Sequence, residues 1–300
     1  MDQSRLAWQS KLVLLLVLPA AGTDLVLESA WWIENHPSVA FWTLGLSALL
    51  GLVAWKMRSA TSYAAVTGAF LTACLMFSTA TAPYQPWRTA LVPLLTVLVL
   101  TSLSTRLGRR RKEQLGTAEP RKGREASQVS ANIGAATLLS FGVVQGWQLD
   151  QPWLHLSALP AWAVFVPGLA CLCEAAADTV SSELGQLLNS RPRMITTLRV
   201  VEPGTDGAIS FGGTLAGILA AGLVALAGSA ALHGDWLFFA LCWAAGVFGL
   251  FFDSLLGATF ERLGWLNNDA VNFLSTLSSA AFALFTLASI PALHPVTISH

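Results

Sequence analysis

The chain has 300 residues, with 17 Lys+Arg against 17 Asp+Glu, so its formal net charge is zero. Charged residues make up 11% and hydrophobic residues 54%, which leaves too few polar groups to clothe a globular surface. A soluble enzyme is excluded, and so is nucleic-acid binding, which calls for a basic excess; a multi-pass membrane protein remains.

A transmembrane helix needs about 20 mostly apolar residues. Nine windows qualify: 12–29, 39–55, 61–81, 87–105, 130–147, 155–179, 208–231, 235–256 and 270–290. Arg5 and Lys11 could form the n-region of a signal peptide, but further spans follow at once, so the first helix is read as uncleaved. The expectation is an all-α polytopic transmembrane bundle of about nine spans. With the N-terminus in the cytosol, sixteen of the seventeen basic residues fall inside and only Arg88 outside, as the positive-inside rule requires. His36, His155, His233, His294 and His300 all fall on the other side. Cys74, Cys171, Cys173 and Cys242 sit in apolar runs and read as buried thiols, not as a zinc site or disulfides.

Two inside segments exceed ordinary connector length. The first, 106–129, contains RRRKEQLGTAEPRKGRE. It suits an anchor to anionic headgroups or an electrostatic funnel for a phosphorylated substrate. The second, 180–207, reads SSELGQLLNSRPRMITTLRVVEPGTDG and ends in a turn cluster before a Gly-rich helix. Neither could build a core of its own.

Polar clusters interrupt the spans, and ionisable groups there are costly and usually functional. In CEAAADTVSSELG, Glu174 and Asp178 share a helix face, as do Asp178 and Ser182, with Glu183 within one more turn. FFDSLLGATFERLG puts Asp253 in an apolar helix with Glu261 about two turns on. NNDAVNFLS sets Asn268 and Asn272 one turn apart, and QVSANIG does the same for Gln128 and Asn132. Blander readings stand beside these. An Asp or Asn at a helix start can be only a cap, which fits Asp269 better than Asn272. Glu174 could be a buried link between helices, Glu261 a solvated helix end, and Arg106 and Arg109 topology signals alone. The small-residue pairs Gly213–Gly217 and Gly246–Gly249 suit close helix packing.

In the nine-span topology every cluster lies near the cytosolic ends of its helices, where the two loops join them. Carboxylates and amides without His or Cys are hard oxygen ligands that suit magnesium. Asp178, Glu183 and Asp253 are the candidate catalytic and metal-binding carboxylates. Arg and Lys with Thr196, Thr197, Gly204 and Thr205 could hold phosphate. That equipment serves phosphoryl transfer. The sequence contains neither the P-loop GxxxxGK[ST] nor D-G-x2-A-R of the CDP-alcohol phosphotransferases.

From Lys112 to Leu274 the motifs KEQLGTAEPRKGR, QVSAN, AADTVSSELG, RPRMITT, PGTDGAIS, DSLLGATFE and NNDAVNFL follow one another. In that order they resemble one integral-membrane family. It includes the plant phytyl-phosphate kinase of vitamin E synthesis and mammalian transmembrane relatives without clear roles. The family-like region is taken as 61–300, with the helices of 1–60 unassigned. The resemblance implies transfer of the terminal phosphate of a nucleoside triphosphate, CTP or another, to an isoprenyl monophosphate, giving the diphosphate. By position the family's polar motifs fall on Lys112, Arg124, Gln128, Asn132, Asp178, Ser182, Glu183, Arg193, Thr196, Thr197, Gly204, Thr205, Asp253, Asn268 and Asn272. Mg2+ is the expected cofactor. Another lipid phosphotransferase or nucleotidyltransferase would use the same equipment, and a lipid transporter or flippase is the alternative of a different class. Transporters place polar sites near the midplane between inverted repeats; here the clusters lie toward one edge and no repeat is evident.

Overall fold

The structure is a computed structural model that describes residues 6–118, 122–154, 156, 159–188 and 191–290. Arg5, Arg121, His155, His294 and His300 lie outside the described residues. The chain runs through α1 (Ala7–Asn35), α2 (Pro37–Lys56), α3 (Ser62–Ser78), α4 (Leu91–Arg106), α5 (Arg109–Leu115) and α6 (Ala126–Leu139). It continues as α7 (Gly142–Asp150), α8 (Val166–Gly185), α9 (Phe211–Ala231), α10 (Trp236–Leu256) and α11 (Asn268–Ala288). Between α8 and α9, strands β1 (Arg193–Met194) and β2 (Ala208–Ile209) pair antiparallel, Arg193 opposite Ile209. The fold is all-helical apart from this ribbon.

Six helices are long and apolar enough to cross a membrane, or up to eight if each of two bent pairs is one span; α3, with 17 residues, is apolar but shorter. Start signals are those the sequence offers. The side chains of Thr61, Ser210, Asp235 and Asn267 each accept a backbone N–H of the following turn. Glu125 and Gln128 form a reciprocal capping box at α6. The window 130–147 is not a single straight span, and just beyond 87–105 the chain turns sharply. α4 and α5 meet at 64°, α6 and α7 at 51°. The first break turns on Gly108, with φ of 61°. The second needs no proline: Thr137 and Ser140 donate to the carbonyls of Ile133 and Ala136, and such back-bonding bends helices.

α8 is the hub and packs on α4, α6, α9, α10 and α11. Of its apolar window 83% is buried, against 17% for α1. The approach of α10 is close enough that a Cβ at Gly249 would fall 2.4 Å from Cγ of Glu174, so the small-residue pairs do serve packing. All four cysteines are free and buried. α1 lies outermost but is stitched to the α10–α11 connection. Gln9 donates to Trp265 O (2.8 Å) and accepts from Asn267 N (2.8 Å), while Asn267 Nδ2 donates to Leu6 O (2.9 Å) and Ser10 Oγ (3.0 Å). The cap of α11 is thus Asn267, and the acid expected to cap it, Asp269, is instead buried in its first turn.

Candidate functional site

Three of the polar clusters meet on α8. Asp178 and Asp253 are close enough for one carboxyl to share a proton with the other. One turn deeper on α8, Glu174 is fully buried and accepts from Ser275 Oγ of α11 at 2.7 Å; Ser275 also lies beside Asp253. The two aspartates are half-buried, and Asp253 Oδ1 has no hydrogen-bond partner. Arg124 is the basic side chain within electrostatic reach of Asp178, and it donates to Thr179 Oγ1 at 3.4 Å. From α6 and α11, Asn132 and Asn272 join through an amide–amide hydrogen bond of 3.2 Å. Beyond Asp253 the helix passes into a π-helical turn, Gly257–Glu261, a distortion common at functional sites. It carries Glu261 into electrostatic reach of Asp178 and of Asp206 in the second loop.

Two carboxylates, one with an unpartnered oxygen, beside the carboxyl groups of Glu174 and Glu261 and a single guanidinium make a donor set deficient in positive charge. That set fits a hard divalent cation. Among the described residues no three His, Cys, Asp or Glu side chains converge on one metal position. The protein would therefore supply two carboxylates, and phosphate oxygens and water the rest, the usual manner of magnesium. Glu183 also lies within electrostatic reach of Asp178, but it has a basic partner of its own. Its carboxylate pairs at 2.5 Å with Lys112, which is buried. Lys112 also donates to Ser104 O (2.7 Å) and Thr105 O (3.3 Å). In this arrangement Lys112 braces α4, α5 and α8.

Beside the acids lies a cavity of about 530 Å³ lined by α2, α3, α4, α6 and Ala175 of α8. Asn132 and Arg124 form its wall toward the acid pair. Its mouth gathers Arg58, Arg106, Arg109 and Arg124 where the helix ends converge; inward the lining turns to Ala54, Ala65, Val97, Leu98 and Leu94. Arg124 is held from behind. Its N–H donates to Ser59 O (3.1 Å), and its carbonyl accepts from Thr61 N (3.0 Å). The preceding Gly123, at φ of 86°, lies so near this strand-like contact that a Cβ would stand 2.5 Å from Ala60 N; only glycine fits there.

The remaining candidates are dispersed. Gln128 is spent on the capping box, and Ser182 donates locally to Thr179 O. Arg193, Thr196 and Thr197 are exposed on the β-ribbon loop, where Arg193 donates to Leu198 O. Gly204 packs against Thr117 of the first loop, so the two loops touch, and Thr205 donates to Glu202 O. Desolvation pushes the Asp206 carboxyl upward, with Arg262 acting against the shift. Asn268 is exposed in the first turn of α11. Sequence reasoning missed Ser275, Asn267 and Gln9. Ser275 was within reach, since it lies three residues beyond Asn272 and so on the same helix face.

Comparison with known proteins identifies the family. The family described as integral membrane protein DUF92 matches residues 45–280. The chain belongs to this family. The match begins inside α2 and takes in all of the acid centre and the cavity-lining ends of α2, α3, α4 and α6. An uncharacterized membrane protein of Methanocaldococcus jannaschii is 49% identical over 116 residues, 39% of this chain and 48% of that protein. Protein VTE6, chloroplastic, of Arabidopsis thaliana is 32% identical over 185 residues, 59% of this chain and 52% of its own length. Protein PGR of the same plant is 30% identical over 226 residues, 61% and 77% respectively. The chain thus spans about half the length of two of these relatives and about three quarters of the third. The family read from the motifs and the family of the comparison are the same. No solved structure matches the chain.

Proposed function

We propose that this DUF92 protein is a membrane isoprenyl-phosphate kinase, with the acid end of the bundle facing the cytosol. The observation that carries the reading is the Asp178–Asp253 pair with its unpartnered Asp253 oxygen, set beside Arg124 at the mouth of an apolar cavity. Arg124 holds the acceptor monophosphate, and Asn132 and Asn272 orient it from the α6–α11 side. Arg193, Thr196, Thr197, Gly204 and Thr205 receive the nucleoside triphosphate, CTP or another, on the loop face. An oxygen of the lipid phosphate attacks the terminal phosphorus, and the bond to the bridging oxygen breaks. The products are lipid diphosphate and nucleoside diphosphate. Asp178 and Asp253 are the residues that hold Mg2+, which when bound neutralises charge on the phosphate oxygens. Glu174 and Ser275 fix the aspartates from below, and the apolar helices exclude water, so positioning and electrostatics do the catalytic work.

The test is purified protein in proteoliposomes with terminally labelled nucleoside triphosphates and a panel of isoprenyl monophosphates, with and without magnesium. Label should appear in lipid diphosphate only with metal present. No labelled lipid with any nucleotide, from protein that is folded, overturns the reading. Cysteines placed near residues 115 and 200 should react from the cytosolic side; reaction from outside only would overturn the orientation.

A further inference from the structure

We infer that the cavity between α2, α3, α4 and α6 is the slot for the single hydrocarbon chain of the lipid monophosphate, and that the lining residues Gly68 and Leu50 select chain length. This rests on the kinase reading for the identity of the headgroup and on the cavity alone for the chain. The lining is polarised along one axis. Arginines crowd one end, and no Asp or Glu lines any part of it. Among the described residues Arg58, Arg106 and Arg124 make no ion pair, and Thr105 Oγ1 at the same end is buried without a partner. Guanidiniums over an apolar shaft, with Arg106 donating to Met57 O and Arg124 in reach of Asp178, complement an anionic head on an apolar tail. A nucleotide would meet few donors or acceptors below the rim.

Dimensions favour one chain. Along α3 the lining runs from Ala64 to Thr72, about 12 Å at 1.5 Å per residue. Gly68 lies about 6 Å in by the same measure. A Cβ there would meet only Val129 Cγ1, at 3.8 Å, so a larger side chain at this position enters the slot without striking backbone. Leu94, in the first turn of α4, lies at the far end, whereas Leu50 lies about level with Gly68, because its neighbour Gly51 packs on Ala65 and Ala69. Arg106, which the sequence reading assigned to topology alone, is thereby placed on the headgroup, and α2 acquires a role in substrate choice. The turn after α2 puts Arg58 in the left-handed region, φ of 56°, a conformation that favours glycine. That turn lays Ser59–Thr61 against Arg124.

The experiment measures binding and turnover of geranyl, farnesyl and geranylgeranyl monophosphates, with farnesol and phosphatidic acid as controls. Binding is read by thermal shift in detergent, independently of nucleotide. Gly68→Leu should move the preference toward the shorter chain by at least about tenfold, and Leu50→Ala toward the longer. Arg58→Gln with Arg106→Gln should weaken monophosphate binding by about tenfold and leave farnesol binding unchanged. Gly68→Val serves as a milder variant should Gly68→Leu fold poorly. Equal effects on every chain length, or equal binding of two-chained phosphatidic acid, overturn the slot. Chain-length-selective binding by a protein that phosphorylates none of the lipids would sink the kinase reading and leave the slot standing.

Discussion

α8 and α1 carry the same sequence feature: two acids four residues apart in an otherwise apolar helix, Glu174 and Asp178 in one, Asp24 and Glu28 in the other. Their surroundings differ in kind. The α8 pair meets Asp253, Ser275 and Arg124 from three other segments. The α1 pair meets Trp32 Nε1 of its own helix and Cys74 of α3, and its helix is the least buried of the candidate spans. Spacing brings two carboxylates to one face; only convergence of independent segments makes a place where a charged ligand gains more than solvent offers.

The strongest way to break that contrast is charge removal at both places. Asp178→Asn or Asp253→Asn should lower phosphate transfer by about a thousandfold or more. Asp24→Asn or Glu28→Gln should change it by less than about twofold, the scale of substitutions away from a site. Equal losses in labelled-lipid assays would mean that convergence is irrelevant. Next in size, Lys112→Met should destabilise the fold by about 3–5 kcal/mol by stranding a buried Glu183, read as a fall in melting temperature. The double change Lys112→Met with Glu183→Leu should recover most of it. The exposed Lys122–Glu125 pair is the control, worth at most about 1 kcal/mol when Lys122 is removed. Arg124→Ala should raise KM for the lipid monophosphate by about ten- to thirtyfold, with a smaller change in KM for nucleotide. Arg193→Ala, on the exposed ribbon, should raise KM for nucleotide by about two- to fivefold and leave the lipid KM unchanged; the reverse pattern would exchange the two substrate faces.

Much of the fold was legible because hydrocarbon demands long apolar helices and leaves a plain trace in composition. Direction was less so. Hydropathy counts residues and cannot register the turns at Gly108 and at Ser140, where a φ angle and a hydroxyl redirect the chain. At the site, the approach of Asp178 to Asp253 followed from two unneutralised carboxylates in apolar segments. The pairing of Lys112 with Glu183 did not, because seventy intervening residues separate partners that only the packing of α5 on α8 unites. The cavity was not legible at all. It is a shape left between helices, and α2 looked featureless because its contribution is a row of small side chains and an arginine.

Gln9 and Asn267 are bonded across 258 positions, which sets a schedule for biosynthesis. At about 5–20 residues per second a ribosome takes roughly 13 to 50 seconds to travel from one to the other. For that interval the first helix waits in the bilayer with its amide unengaged and a lipid-exposed flank. When Asn267 arrives, it fastens the start of α11, and the same helix then carries Ser275 to Glu174. The acids of α8 are therefore completed by α11, made after every other described helix, and a nascent chain that stalls early holds its carboxylates without the partner that orders them.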